Sequence, residues 1–190
     1  SANWMPASGE HGQFQALYEA VQAVGMTICP DLDIGIPVGK DSMSMHTSWQ
    51  DETGQDKAVT SPLSLVISAF APLADVRRHL TPELSGDQQA SLLLIDLAAG
   101  QQRMGGSVLY QVQNQMGRFS PDLDEANHLK HLFAFMADAI DKGWLSAFHD
   151  RSDGGLLTTL AEMCFAGHCG ADIAIDGDVF ATLFNEEPGL

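Results

Sequence analysis

Apolar positions change their period several times along the chain, and each change marks an element. Phe14, Leu17, Tyr18, Val21 and Val24 recur at three- and four-residue steps, which predicts a helix over 13–26 with one apolar face. Gly25 lies near its end and Pro30 lies beyond it, as helix stops should. The run Ile34-Gly35-Ile36-Pro37-Val38 predicts a short strand over 33–38, at a sheet edge or a strand end because Pro37 has no N–H to donate. Alternation returns after Ser42. The polar segment 50–60 puts Gly54 at a hairpin tip, and the Leu-, Val- and Ile-rich run 62–70 predicts a buried strand. Residues 1–12 are polar and contain Gly and Pro, apart from Trp4 and Met5.

The composition shifts at 72–90. Pro72, Arg77, Arg78, Pro82, Gly86 and the Gln88-Gln89 pair read as a surface connection, with one short helix from Ala74 to Leu80. A domain boundary is expected there, giving domains 1–80 and 81–190. Beyond it a strand is predicted over 91–97. Gly105-Gly106-Ser107 opens a helix over 108–116, and a longer helix covers 123–142, with Leu129, Leu132, Phe133, Met136 and Ile140 inward and Gly143 as its stop. A strand over 145–149, a helix over 154–166 and a strand over 171–175 complete the pattern. This half alternates strand and helix, so layered α/β structure is expected, within a fold class written as α/β (α+β). No internal repeat is visible.

The chemistry concentrates where the 145–149 run meets His149-Asp150-Arg151-Ser152-Asp153-Gly154-Gly155-Leu156. Ser152 or Asp153 can cap the following helix, and the glycine pair lets its first turn approach another group closely. A helix start suits an anion such as phosphate. Asp150 and Asp153 would repel a bare phosphate, and Mg²⁺ resolves the conflict by joining carboxylates to phosphate oxygens. The same residues also read as a plain strand–turn–helix corner. His149 either orients Asp150 or touches a ligand, or packs as a strand-end histidine.

A second cluster is Gly39-Lys40-Asp41-Ser42. It is not a P-loop, because the residue after Lys40 is an acid rather than Ser or Thr. Gly39 permits close backbone approach, Lys40 supplies a point charge for a phosphoryl or carboxylate oxygen, and Ser42 can donate to phosphate. An exposed turn with a Lys–Asp surface pair is the alternative. Gly105-Gly106-Ser107 reads as a tight turn or a phosphate-facing helix start. Cys164, His168 and Cys169 lack zinc spacing, and the two cysteines read as buried helix-end thiols. His128 and His131 read as solvent-facing, and Met43 and Met45 as core.

Charge narrows the partners. The formal net charge is −16 over 190 residues, with nine basic residues and only Arg77-Arg78 adjacent, so binding nucleic acid by phosphate neutralisation is not expected. Three cysteines form no even framework, which fits a reduced, cytoplasmic setting. No stretch has the length and apolarity of a membrane span. Both ends, Ser1-Ala2 and Phe184-Asn185-Glu186-Glu187-Pro188-Gly189-Leu190, read as cuts in a longer protein.

Several separated motifs carry a resemblance over nearly the whole chain. They are Ser1-Ala2-Asn3-Trp4-Met5, the 36–45 segment Ile-Pro-Val-Gly-Lys-Asp-Ser-Met-Ser-Met, Thr60 to Phe70, His149 to Leu156, Ala161-Glu162-Met163, Ala166 to Gly170, and Phe184 to Glu187. In this order they resemble the large, single-chain form of phosphoribosylformylglycinamidine synthase, also called formylglycinamide ribonucleotide amidotransferase. The resemblance implies an internal fragment of the synthetase region: the end of the second N-terminal subdomain, similar to that of aminoimidazole ribonucleotide synthetase, and the start of the second C-terminal subdomain. It implies an ATP-dependent carbon–nitrogen ligase of purine biosynthesis, acting on a ribonucleotide with ammonia from glutamine. The first synthetase half and a glutaminase domain would be its partners in the same polypeptide, the fragment would be inactive alone, and none of the three cysteines would be the glutaminase nucleophile. Mg²⁺ and ATP or ADP are the implied cofactors. The resemblance implies Asp150 as a Mg²⁺ ligand, Ser152 and Gly39 as nucleotide contacts, and Ser42 as a contact to the ribonucleotide substrate. Lys40 stands where shorter relatives carry a metal-binding Asn. A lysine replaces a metal's charge rather than binding it, so Lys40 is assigned to the substrate with Ser42. The second-half nucleotide in this family is an auxiliary one, which leaves a structural role open beside a consumed one.

Overall fold

Strand β1 (Ala2–Met5) organises the first part of the chain, in a stretch where hydropathy marks only Trp4 and Met5. A computed structural model describes residues 1–9, 12–87 and 89–190, and Gln88 of the Gln pair lies outside these. Two compact units form, Ser1–Ala74 and Asp75–Leu190. In the first, β1 is the middle of a three-stranded sheet. Strand β2 (Gly39–Asp41) lies parallel to it, with Asn3 opposite Lys40, and β5 (Ser64–Ile67) lies antiparallel, with Trp4 opposite Leu65. Parallel pairing needs a long crossover. The helical stretch α1 (Gln13–Gln22), a wide-turned segment (Ala23–Ile28) and α2 (Cys29–Asp31) provide it. A separate hairpin pairs β3 (His46–Gln50) with β4 (Asp56–Thr60). Its turn is held by Asp51, whose Oδ1 accepts the Thr53 and Gln55 N–H groups at 2.9 and 3.1 Å, and Gly54 sits at the tip with φ 79°.

Three expectations for this unit change. The helix does not stop near Gly25. It widens by one residue per turn and runs to Asp31, with Pro30 in its last turn. The strand expected over 33–38 forms instead at Gly39–Asp41, because Pro37 cannot donate and the ladder begins with the Ala2 N–H on Val38 O. The strand within 62–70 exists but is not buried: β5 is an edge, and Val66 and Ile67 are about half exposed.

The second unit contains α3 (Val108–Val112), α4 (Ala126–Asp141), α5 (Gly155–Gly167) and α6 (Val179–Phe184). Ser107 caps α3 by accepting the Tyr110 N–H, and Asp178 caps α6 through Ala181. On α4, Ala139 is buried and Leu129, Leu132, Met136 and Ile140 are half-buried, whereas Phe133 lies at the margin of that face and is exposed. His128 and His131 are exposed.

No strand forms at 91–97, 145–149 or 171–175, and the layered alternation expected for this half is absent among the described residues. The 95–97 backbone spends its hydrogen bonds on the chain end instead. Ile95 and Leu190 exchange two, at 2.8 and 3.0 Å, and Leu97 N–H reaches Pro188 O at 3.0 Å. Near 148, the Phe148 N–H goes to Thr81 O. The helix expected over 74–80 is replaced by a turn, because the Asp75 carboxylate takes the Arg77 N–H and guanidinium. The class is α+β: the two sheets and the helical crossover lie in the first unit, and among the described residues the second unit holds four helices. Among the described residues no helix is long and apolar enough to cross a membrane.

Candidate functional site

The interior of the second unit is strongly polar, and its centre is Asn185-Glu186-Glu187-Pro188-Gly189. Asn185 ends α6 and folds its amide back onto Ala181 O, while its Oδ1 accepts the Glu187 N–H. The Glu187 side chain is fully buried and its carboxylate is gripped by Arg103: Nε at 2.6 Å and the main-chain N–H at 2.8 Å on Oε1, Nη2 at 2.8 Å on Oε2. Arg103 also reaches Asp124 and the Asp122 carbonyl. Glu187 first, then Asp124, hold the guanidinium charged well above its ordinary range. Glu186 points the other way. Its Oε1 accepts two main-chain N–H groups at 2.8 Å each, from Val108 at the start of α3 and from Gly154 at the start of α5.

That second bond corrects the expected cap. Gly154 occupies the cap position of α5 in a left-handed conformation, neither Ser152 nor Asp153 caps the helix, and Glu186 is the anion at its start. The glycine pair serves this packing. Gly155 has φ 70°, and a Cβ there would lie 2.6 Å from Asn185 O and 2.8 Å from Leu183 O. The close approach anticipated from the glycines is therefore to the chain's own 183–185 backbone.

Asp150 and Ser152 lie side by side before α5, with the Ser152 hydroxyl donating to Asp150 Oδ2. Both are exposed; the Asp150 side chain is 63 % accessible. The Ser152 hydroxyl, against partial burial and helped by the Asp150 N–H and His149, holds the carboxyl below its ordinary value of 3.8. His149 stands behind it, with Nε2 2.7 Å from Glu162 Oε2 on α5 and Nδ1 3.5 Å from Asp150 Oδ1. His149 is therefore packed against α5 and also faces Asp150. No group of three His, Cys, Asp or Glu among the described residues could cage a metal. An open, ionised carboxylate beside a hydroxyl still fits Mg²⁺, which keeps most of its waters and takes its other ligands from phosphate.

In the first unit Lys40 Nζ donates to Ser42 Oγ at 3.0 Å, and Ser42 Oγ donates to Asn3 Oδ1 at 3.2 Å across the β1–β2 pair. Lys40 and Ser42 thus form one polar group, joined by Asn3, which sequence reading did not single out. Gly39 lies next to it; a Cβ there would sit 3.3 Å from Ala2 O. Gly39 also lines an apolar cleft of about 430 Å³ with Trp4, Val21, Cys29, Pro30 and Ile36. Met43 and Met45 are half-buried. Of the cysteines, Cys29 is buried, Cys164 half-buried and Cys169 exposed, so the last is not the buried thiol expected.

Sequence reading also missed Arg103, Asp96, the role of Arg151 and the 185–189 hub. The available signal was an acid pair, Glu186-Glu187, between Asn185 and Pro188 in a chain with few cations to match it. Residues 1–72 match the family model described as FGAR-AT PurM_N-like domain. Residues 92–189, more than half of the chain, match that described as AIR synthase related protein, C-terminal domain.

Proposed function

The chain belongs to the family of AIR synthase related proteins and carries, in order, two domains of the FGAR amidotransferase synthetase region, and on that premise we propose that it is part of the ligase making formylglycinamidine ribonucleotide. Domains of these types belong to ATP-using synthetases of purine biosynthesis. In the proposed reaction the γ-phosphoryl of ATP passes to the amide oxygen of formylglycinamide ribonucleotide. Ammonia derived from glutamine attacks the carbon of the phosphorylated amide, the C–O bond breaks as inorganic phosphate leaves, and the amidine remains with ADP. The first synthetase half and a glutaminase domain of the same polypeptide, working in the cytoplasm, would supply the remaining groups, and the chain alone would not turn over. Residues 1–80 would be the end of the second N-terminal subdomain and 81–190 the start of its C-terminal partner.

One observation carries the site assignment: Asp150 is an exposed carboxylate kept ionised beside Ser152, in the domain matched by the second family model. Asp150 would hold Mg²⁺ and Ser152 the nucleotide. The metal, when bound, neutralises phosphate charge and fixes the phosphate against the carboxylate. Gly39 would contact ATP through its backbone, and Lys40 and Ser42 would hold the phosphate oxygens of the ribonucleotide substrate. Because the single Ser42 hydrogen is given to Asn3, Ser42 would receive a ligand donor, or release Asn3 to donate.

A second reading has an observation of its own. Glu186 already occupies the N–H groups at the starts of α3 and α5, so these donors are not free to take the charge that builds up on a phosphoryl group in transfer. This favours a nucleotide that stabilises the structure over one that is consumed. Ser42→Ala in the complete enzyme separates the two. Lost turnover with unchanged thermal unfolding supports the catalytic reading; a lowered unfolding temperature with normal chemistry supports the scaffold. Isothermal titration of ADP with and without Mg²⁺ tests the site itself: metal-dependent binding is expected, and its persistence in Asp150→Asn would refute the assignment.

A further inference from the structure

Three consecutive residues of the His149–Leu156 loop face different environments. Asp150 and Ser152 are exposed, and Arg151 between them has a side chain only 3 % accessible. Extended backbone sends alternate side chains to opposite sides, so whatever fixes Arg151 inside fixes its two neighbours outside. The guanidinium is tied at several points. Nη2 meets Asp96 Oδ1 at 2.6 Å and Pro188 O at 3.3 Å, and Nε donates to Glu187 O at 2.6 Å. The Arg151 main-chain N–H donates to Gly189 O at 2.9 Å.

Its partner is also secured. Asp96 Oδ2 accepts the Gly100 N–H at 2.9 Å, and Asp96 and Arg151 each form a bridge with Gly189. Gly189 has no room for a side chain: a Cβ would lie 2.7 Å from Ile95 O and 3.1 Å from Arg151 Nη2. Three segments, 95–97, 151 and 187–190, therefore converge on one buried cation. A hydrophobic side chain would fill that space without desolvating a charge, so the ion pair is not the cheapest way to make a core. What it adds is direction, because a guanidinium held at both Nη2 and Nε cannot rotate.

We propose that Arg151 is a positioning residue: clamped by Asp96 and the Glu187 and Pro188 carbonyls, it holds Asp150 and Ser152 outward, spaced to bind a Mg²⁺-bound nucleotide phosphate. This rests on the assignment of Asp150 and Ser152 given above. Residues behind a metal ligand set its orientation, and their loss costs about 10- to 100-fold in metal affinity. The anchor acts on the metal-dependent part of binding and leaves the rest alone.

The test uses the 190-residue chain with Arg151→Lys, Asp96→Asn and Asp150→Asn. ADP binding is titrated over a Mg²⁺ series, with thermal unfolding measured on each variant. Arg151→Lys keeps the charge and loses the fork; Asp96→Asn keeps the size and loses the charge, so it stands if the lysine variant does not fold. In folded variants the Mg²⁺ midpoint for ADP binding rises about tenfold, while ADP binding without metal is unchanged. A role in folding alone would scale both by the folded fraction. If Asp150→Asn loses metal-dependent binding and folded Arg151→Lys and Asp96→Asn bind as the unaltered chain does, the anchor is overturned and the site stands. If Asp150→Asn is unaffected, or the unaltered chain shows no metal-dependent binding, the site assignment is overturned and the anchor with it.

Discussion

Gly155, the first residue of α5, has no room for a side chain. Its φ of 70° is in the left-handed region, and a methyl group would meet the Asn185 and Leu183 carbonyls below van der Waals distance. Gly155→Ala should lower stability by more than about 1 kcal/mol, since strain and a steric shift add; denaturant unfolding would show it. Asp96 sets a pH dependence. Burial pushes its carboxyl up, but the Gly100 N–H, the Arg151 guanidinium and the Ala98 N–H together hold it below 3.8. A depressed value means that its contribution to stability is fully present above pH 3.8 and is lost as pH falls through the folded-state value. Asp96→Asn should therefore unfold at lower temperature than the unaltered chain near neutral pH. The gap should close at pH values below the folded-state pKa of Asp96. A gap that persists unchanged under acid would contradict this.

At the scale of elements, Glu186 joins the starts of α3 and α5 through one carboxylate oxygen. Glu186→Ala should speed amide hydrogen exchange at Val108 and Gly154 together, because both N–H groups lose the same acceptor. Exchange rising at only one of them would show that the carboxylate does not bridge. The longer helices were legible in the sequence because their apolar periods are long: α1 and α4 lie within the expected ranges and α5 is displaced by one residue, whereas α3 ends at Val112 instead of 116 and the short α6 was not expected. The strands of the second unit were not legible. The apolar runs at 91–97 and 145–149 have the composition of strands, but 95–97 pairs with the chain end and the Phe148 N–H bonds to Thr81. Composition carries no information about a partner so distant in sequence. β1 was missed for the converse reason: four residues flanked by polar ones carry too little alternation to register, yet both neighbours hydrogen-bond to it. Asp150, Ser152, Lys40 and Ser42 stood out because their motifs are local. Arg103, Asp96 and Glu187 did not, because their meaning lies in pairings that span 55 to 84 residues.

For the whole molecule, the charge of −16 makes self-repulsion a real contribution to unfolding, so moderate added salt should raise the unfolding temperature through screening. The acidic balance also makes a cation useful at Asp150, since phosphate would otherwise approach a negative surface. Each unit carries a candidate ligand cluster, Lys40 with Ser42 and Asp150 with Ser152; the family matches make the chain part of an ATP-using synthetase, and the proposed metal–nucleotide site stands on the second cluster. The most direct test replaces Mg²⁺ with paramagnetic Mn²⁺ in ¹⁵N-labelled chain saturated with ADP. Broadening should be strongest at the amides of 149–154 and should vanish in Asp150→Asn. Broadening centred elsewhere, or the same pattern in Asp150→Asn, would contradict the assignment of this loop as the metal–nucleotide site.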